Sequence, residues 1–266
     1  MKITWKGTAS IEIESGDSKI IFDPFVPYPY SDVPVTIEDF DGYKHIFVTH
    51  GHFDHIEYIP EVCRRNPDAM VYCTKAPYNT LLSKGVPKES LTLISNNEHC
   101  RVVGDEFIPE AGDDRTDGIE IRTYQGRHAV LKADVCRVFS DAFRFHCVSN
   151  FPRLLHGLLA YPENKETLFY EILAEGKRIF LMGSLNLDAD TEYPEVCDLM
   201  VLPYNGWDDN FPHAVEIADK LKPAKILADH YDTTFRPATT DLDLAPLKEH
   251  FGDRLILIGQ KESITL

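Results

Sequence analysis

The sequence lacks closely spaced cysteine pairs, long apolar runs and basic patches. Its six cysteines are scattered with no CxxC pair, and residues 1–5 do not resemble a signal peptide. We therefore expect free thiols in a cytoplasmic protein, because disulfides persist mainly in oxidising compartments. No apolar stretch approaches the roughly 20 residues of a membrane-spanning helix. The longest mixed candidate, residues 151–161, contains Arg153 and His156, so we expect no membrane span.

The charge balance argues against a nucleic-acid-binding protein. The formal net charge is −16, and no stripe or patch of basic residues offsets it. A nucleic-acid binder normally carries such a patch to neutralise phosphates. We therefore expect a small-molecule substrate and no nucleic-acid partner.

Length and continuity favour one domain. The 266 residues contain no Gly/Ser linker and no internal repeat of about 20 to 50 residues. We expect a single domain over residues 1–266 and leave its oligomeric state open, a homo-oligomer included.

Strand-like runs and helical segments alternate along the chain in two series. Residues 45–48 are β-branched and aromatic without alternation, which is typical of a strand covered on both faces. Two series of strands with helices outside them predict an α/β (α+β) fold, built as a four-layer αβ/βα sandwich. The predicted strands are 2–5, 10–14, 19–22, 45–48, 70–73, 91–94, several short strands over 99–124, a hairpin over 167–182, 199–203, 226–228 and a closing pair. The predicted helices are 56–65, 77–84, 212–221 and one near His250.

The run THGHFDH at residues 49–55 places four metal-ligand side chains within six residues. His50 and His52 are two apart in an extended segment, so both rings project to one side. Asp54 and His55 follow where the chain turns into a predicted helix. Imidazole and carboxylate groups are ligands of zinc. The spacing predicts a metal centre for one or two adjacent ions, the alternative being a chance cluster of histidines.

The motif resembles the signature of the metallo-β-lactamase superfamily, and within it the ascorbate-6-phosphate-lactonase-like branch of metal-dependent hydrolases. ITWKGTAS at residues 3–10 and IIFDPF at residues 20–25 are similar to the first two strands and the Asp-Pro element of that branch. The resemblance extends over nearly the whole chain. It implies the four-layer metallo-β-lactamase sandwich and a metal-dependent hydrolase.

The resemblance also implies two sets of three ligands, namely His50, His52 and His128 for one metal and Asp54, His55 and His230 for the other. His230 follows an apolar predicted strand, whereas for His128 an ordinary loop histidine is the alternative. Asp229 or Asp232 could orient the ring of His230, and Asp23 is interpreted as a residue behind the ligands or as a turn residue.

Two positions depart from the family pattern. The superfamily usually has an aspartate that bridges both metals where this chain has Ser184. A hydroxyl is a far poorer ligand than a carboxylate, so one metal is expected to bind weakly or not at all. Asp188, four residues on, is a candidate substitute. The branch often has a histidine where this chain has Thr8, so a group expected near the substrate or the metals is missing and the activity is expected to be altered or lost.

The resemblance implies a water or hydroxide nucleophile activated by metal, with Asp54 binding metal and accepting a proton or orienting the water. Zn²⁺ is the expected cofactor, as one or two ions, with Mn²⁺ and Fe²⁺ as alternatives. Substrate choice is expected to lie in residues 26–35, in the long segment 130–161 and in residues 204–207.

Three functional hypotheses remain. The first is a hydrolase acting on an ester, lactone, phosphodiester or amide of a small molecule. The second is a non-catalytic or mononuclear metal-binding descendant, which the residue Ser184 motivates. The third is a di-iron oxidoreductase, because relatives in the superfamily use this scaffold for redox work. An RNA-processing nuclease ranks last because the chain is acidic.

Overall fold

The computed structural model describes residues 1–110, 117–129, 135–161, 165–204, 210–239 and 242–266. In these residues the strands form two sheets. The first sheet, in the order β15-β1-β2-β3-β4-β5-β6, contains β1 (Lys2–Trp5), β2 (Ile11–Ser15), β3 (Ser18–Phe22), β4 (His45–Phe47), β5 (Met70–Cys73), β6 (Leu91–Leu93) and β15 (Ser263–Thr265). The second, in the order β14-β13-β12-β11-β10-β9-β7-β8, contains β7 (His99–Val103), β8 (Glu106–Pro109), β9 (Ile119–Gly126), β10 (Thr167–Ala174), β11 (Lys177–Leu181), β12 (Leu199–Pro203), β13 (Lys225–Asp229) and β14 (Leu255–Ile256).

Helices lie outside both sheets. They are α1 (Phe53–Ile56), α2 (Ile59–Arg65), α3 (Lys75–Ser83), α4 (Val135–Arg144), α5 (Phe151–Ala160), α6 (Asn210–Leu221) and α7 (Ala245–Phe251). No helix in these ranges has the length and apolar character needed to cross a membrane.

Three apolar clusters hold the layers together. The central cluster joins the inner faces of the two sheets and includes Trp5, Phe47 and Tyr170, all fully buried. Burial of each such side chain contributes on the order of 2 kcal/mol. A second cluster joins the outer face of the first sheet to α1, α2, α3 and α5, and a third joins the second sheet to α6 and α7. The predicted αβ/βα sandwich is confirmed, and the six cysteines are free as expected.

Two local predictions were wrong. The helix expected at residues 56–65 is broken into α1 and α2. Pro60 has no N–H to donate to Ile56, so one helix cannot continue through it. The closing strands are not paired with each other, because β15 joins β1 and β14 joins β13. The long segment 130–161, which is expected to contribute to substrate choice, contains α4 and α5; its residues 130–134 lie outside the described residues.

Candidate metal centre

The candidate site lies where several strands end at their carboxyl termini. β3 and β4 run parallel in the first sheet, and Asp23 and the motif 49–55 follow them. In the second sheet His128 follows β9 and His230 follows β13. Strand β10 is antiparallel to both β9 and β11, and β11, β12 and β13 are parallel, so β9 and β13 run in the same direction and end at the same edge. The sheets therefore bring together residues far apart in the sequence.

The first group of potential ligands consists of His50, His52 and His128. The ring centroids of His52 and His128 are 4.3 Å apart, and those of His50 and His52 are 4.8 Å apart. His50 is buried, whereas His52 and His128 are half-buried. One ligand atom from each of the three lies within 4.8 Å of the others. The sequence-predicted first set is thus assembled in the structure.

The second group consists of Asp54, His55 and His230, all buried, again with ligand atoms within 4.8 Å of one another. Asp54 and His55 are in the short helix α1, directly after His52. Asp54 Oδ2 is 3.2 Å from His230 Nε2 and 3.8 Å from His55 Nε2. The ring centroids of His50 and His55 are 3.9 Å apart, so the two groups adjoin.

Asp23 supports both the motif and the second group. Its Oδ2 is 2.7 Å from His55 Nδ1. Its Oδ1 accepts a hydrogen bond from the main-chain N–H of Thr49, and its Oδ2 accepts one from the Thr49 hydroxyl. Asp23 has a left-handed backbone, φ 44°, a conformation that costs on the order of 1 kcal/mol and persists where surrounding contacts fix it. The carboxylate therefore fixes the ring orientation of His55.

Electrostatics keep the first group neutral. Burial, together with the neighbouring His55 and His52, holds the pKa of His50 well below its ordinary value. Burial and His52 lower the pKa of His128 to about 4. Burial also lowers the pKa of His52, although Asp54 opposes it. Neutral imidazoles offer the lone pairs that metal ligation requires.

The second group of potential ligands contains charged side chains, unlike the first. Burial alone would raise the pKa of Asp54, but the rings of His55 and His230 hold it below its ordinary range. Burial alone would lower the pKa of His230, but its hydrogen bond with Asp54 raises it to about 9. Without a metal ion this group therefore pairs an ionised carboxylate with a protonated His230 ring, beside the ring of His55.

The donor set fits a divalent cation. His50 Nε2 and His230 Nδ1 are buried and have no hydrogen-bond partner among the described residues. A buried polar atom without a partner costs on the order of 1–3 kcal/mol. Five imidazoles and a carboxylate packed this closely form an arrangement that a cation such as zinc would stabilise.

Ser184, which stands where the bridging aspartate is expected, contacts the residue that follows His128. Its hydroxyl accepts a hydrogen bond from the N–H of Ala129, the residue after His128. Asp188 is not a substitute for the absent aspartate, because its carboxylate accepts hydrogen bonds from Arg127, Thr191 and the N–H of Asp190. Among the described residues no carboxylate belongs to both groups.

Thr8 and Asp232 fix the backbone of His230 instead of its ring. Asp232 Oδ2 accepts the N–H of Thr8 at 2.7 Å, and the carbonyl of Thr8 accepts the N–H of His230 at 2.9 Å. His230 Nδ1 has no bond to Asp229 or Asp232. The expectation that one of these aspartates orients the His230 ring was therefore wrong, since their carboxylates do not reach it.

Sequence reasoning missed Thr49 and Gly183. The Thr49 hydroxyl is 3.1 Å from His50 Nδ1 and 3.2 Å from His55 Nδ1, so it contacts both groups. A Cβ on Gly183 would lie 2.2 Å from Thr49 Cβ. Only the position of Thr49 directly before His50 could have signalled its role. Of the predicted mouth residues 204–207, residues 205–207 lie outside the described residues.

Comparisons with known sequences agree with this geometry. A family model described as "Beta-lactamase superfamily domain" matches residues 19–231. A UPF0173 metal-dependent hydrolase from Pyrobaculum islandicum is 33% identical over 130 residues, which is 48% of this chain and 51% of that protein. Alignments with the curated relatives span between 24% and 51% of their length.

Solved structures show the same fold at low sequence identity. A metallo hydrolase from the archaeon Ignicoccus hospitalis aligns with 100% of this chain and 97% of its own, with a TM-score of 0.62 and 18% identity. An isothiocyanate hydrolase from Delia radicum gut bacteria aligns with 100% of this chain and 99% of its own, with a TM-score of 0.61 and 15% identity. At such identities the likeness extends to the fold alone.

Proposed function

Since the chain belongs to the beta-lactamase superfamily, we propose that it is a metal-dependent hydrolase of a small-molecule ester, lactone or phosphodiester. One observation supports this most directly. The structure contains two adjoining groups of three ligand side chains, and in each group one ligand atom per side chain lies within 4.8 Å of the other two. His50, His52 and His128 would hold one ion, and Asp54, His55 and His230 the other. Zinc is the proposed metal, because imidazole with one carboxylate suits it.

The chain's own residues supply binding, orientation and a proton acceptor. Divalent ions bound here would supply the charge that lowers the pKa of a water molecule and polarises the scissile bond. Asp54 is buried and lies 3.2 Å from His230 Nε2, and its proposed role, besides metal binding, is to accept a proton or to orient the water. Asp23 and Thr49 hold the rings of His55 and His50 in place. No serine or cysteine nucleophile is needed.

Ser184 favours a second candidate, a mononuclear or non-catalytic descendant of the same fold. Its hydroxyl is engaged with Ala129, and no carboxylate belongs to both groups in the described residues. One of the two groups would then bind its ion weakly or not at all, and turnover would be slow or absent.

Metal content distinguishes the two candidates. Protein purified without a metal-affinity column is measured by plasma mass spectrometry, alongside His52→Ala and the matched control His213→Ala, an exposed histidine on α6. About two ions per chain, reduced in His52→Ala only, supports the hydrolase and justifies a screen of lactones and phosphodiesters with and without chelator. One ion or none, with no chelator-sensitive turnover, supports the descendant. The same measurement identifies the metal, iron included.

A further inference from the structure

Large apolar side chains are concentrated on the outside of α4 and α5. Ten are exposed in the described part of the chain, and six of them form what is here named the apolar face: Phe139, Phe143, Val148, Leu155, Leu158 and Leu159. Phe139 of α4 and Phe151 of α5 have ring centroids 5.1 Å apart, so the two helices adjoin. Singly exposed apolar residues are common, but a cluster of this kind marks an interaction site.

Helix α5 is apolar on opposite sides. Leu154 and Gly157 are buried against the body, where a Cβ on Gly157 would lie 2.8 Å from Phe53. Leu155, Leu158 and Leu159, at spacings of three and four, are 59%, 64% and 73% exposed. A helix that is apolar all round is normally buried on all sides. Since Phe53 is part of the metal-ligand motif, the exposed leucines are turned away from the candidate site and would not contact its substrate.

The helix pair is held firmly to the rest of the protein. Asn150 donates hydrogen bonds to the carbonyls of Pro29 and Arg236, each at 2.8 Å. The guanidinium of Arg153 lies 4.0 Å from the ring centroid of Tyr28 and pairs with Glu57. The apolar face is therefore presented by an anchored element.

Charge and area both favour a second copy of this chain as the partner. Asp141 is the only acidic residue within 135–161, and it is buried. The net charge of −16 over the whole chain opposes the approach of two copies, so a face with few acidic residues is where they can meet. The six side chains expose about 100 Å² each, so a dimer that buries them on both copies would remove about 1,200 Å² of surface from water. This area is the lower limit for a stable interface. We propose that the apolar face is the interface of a two-fold symmetric homodimer.

A membrane surface fits the same face less well. Residues 135–161 contain no lysine and three arginines, Arg137, Arg144 and Arg153, fewer basic residues than the Lys- and Arg-rich polar sides of helices that lie in a bilayer interface. Arg153 is already paired with Glu57. The net charge of −16 would also be repelled by anionic lipid.

Sedimentation velocity over a range of protein concentrations tests the homodimer. The wild type should sediment with twice the 30.3 kDa mass of one chain. Leu158→Glu should raise the dissociation constant at least about tenfold, because a carboxylate would be buried at the interface. The matched control Leu82→Glu, on α3 and 42% exposed, should leave the constant unchanged.

Three results would overturn the homodimer. They are a wild-type monomer at every concentration, a dimer that Leu158→Glu and Leu159→Ser both leave intact, and a monomer that floats with anionic phosphatidylserine vesicles through the apolar face. Circular dichroism melts verify that each variant is folded, and Leu159→Ser replaces Leu158→Glu if the latter is not. The test needs neither metal nor turnover, so it is independent of the proposed hydrolase.

Discussion

Asp23 Oδ2 lies 2.7 Å from Nδ1 of His55, so the ring of one proposed metal ligand is oriented by a residue 32 positions earlier in the chain. The same carboxylate accepts two hydrogen bonds from Thr49. Partners of this kind fix the tautomer and direction of a ligating histidine. The proposed centre therefore depends on a residue that does not itself belong to either ligand group.

Asp23→Asn should weaken metal binding by the second group. The amide presents one donor where the carboxylate presents only acceptors, so either His55 or Thr49 loses its bond. We expect the apparent metal affinity to fall about 10- to 100-fold, measured by competition with a chromophoric chelator. Asp105→Asn, at an exposed aspartate that pairs with Lys44, is the control. Equal affinities in Asp23→Asn and wild type would show that Asp23 has no such role.

Ser184→Asp should increase the number or affinity of bound ions. It introduces a carboxylate beside His128 while keeping an acceptor for the N–H of Ala129, and carboxylates bind dications far better than hydroxyls do. Plasma mass spectrometry of the variant should give a higher metal-to-protein ratio than the wild type. Asp188→Asn, which changes a carboxylate already bonded to Arg127, should not. An unchanged ratio in Ser184→Asp would contradict the prediction.

The sequence could predict the layers and most of the site because these depend on local patterns. The motif 49–55 has ligand types at a demanding spacing, and apolar runs identify strands such as β12. His128 and His230 could be assigned only through the family resemblance, since their proximity to the motif is a long-range property of two sheets. Nothing local in the sequence places them together.

The missed features also have physical reasons. Leucines on both sides of α5 remove the one-sided periodicity that identifies a surface helix, so the sequence pattern does not indicate a helix there. The role of Asp232 depends on a main-chain contact with Thr8, 224 positions away. Such contacts leave no spacing signal.

Gly183→Ala should destabilise the protein next to the site. The added Cβ would lie 2.2 Å from Thr49 Cβ and 2.4 Å from its hydroxyl oxygen, so one of the two segments must shift. We expect the free energy of unfolding to fall by about 1–3 kcal/mol in urea titrations. Gly259→Ala, whose nearest contact is the flexible Glu262 side chain at 3.3 Å, should stay within about 0.5 kcal/mol of wild type. Equal losses in both variants would argue against tight packing at Gly183.

Glu12 should give the protein an acid-sensitive contribution to stability. Its buried carboxylate accepts a hydrogen bond from Tyr43 and lies 2.9 Å from Lys19 Nζ. Burial alone would raise the pKa of Glu12, but these partners outweigh it and lower the pKa below the ordinary 4.5. Because the pKa is lower in the folded protein, the stabilisation is present above pH 4.5 and is lost as the pH falls through the folded-state value.

Glu12→Gln should therefore lower the free energy of unfolding near pH 7 by on the order of 1 kcal/mol, because a neutral amide is a weaker acceptor for Tyr43 and Lys19. In more acidic solution the wild-type side chain is itself neutral, so the two proteins should converge. Urea unfolding monitored by circular dichroism from neutral to acidic pH measures both curves. A difference in the free energy of unfolding that stays constant across that pH range would mean that the Glu12 charge does not contribute to stability.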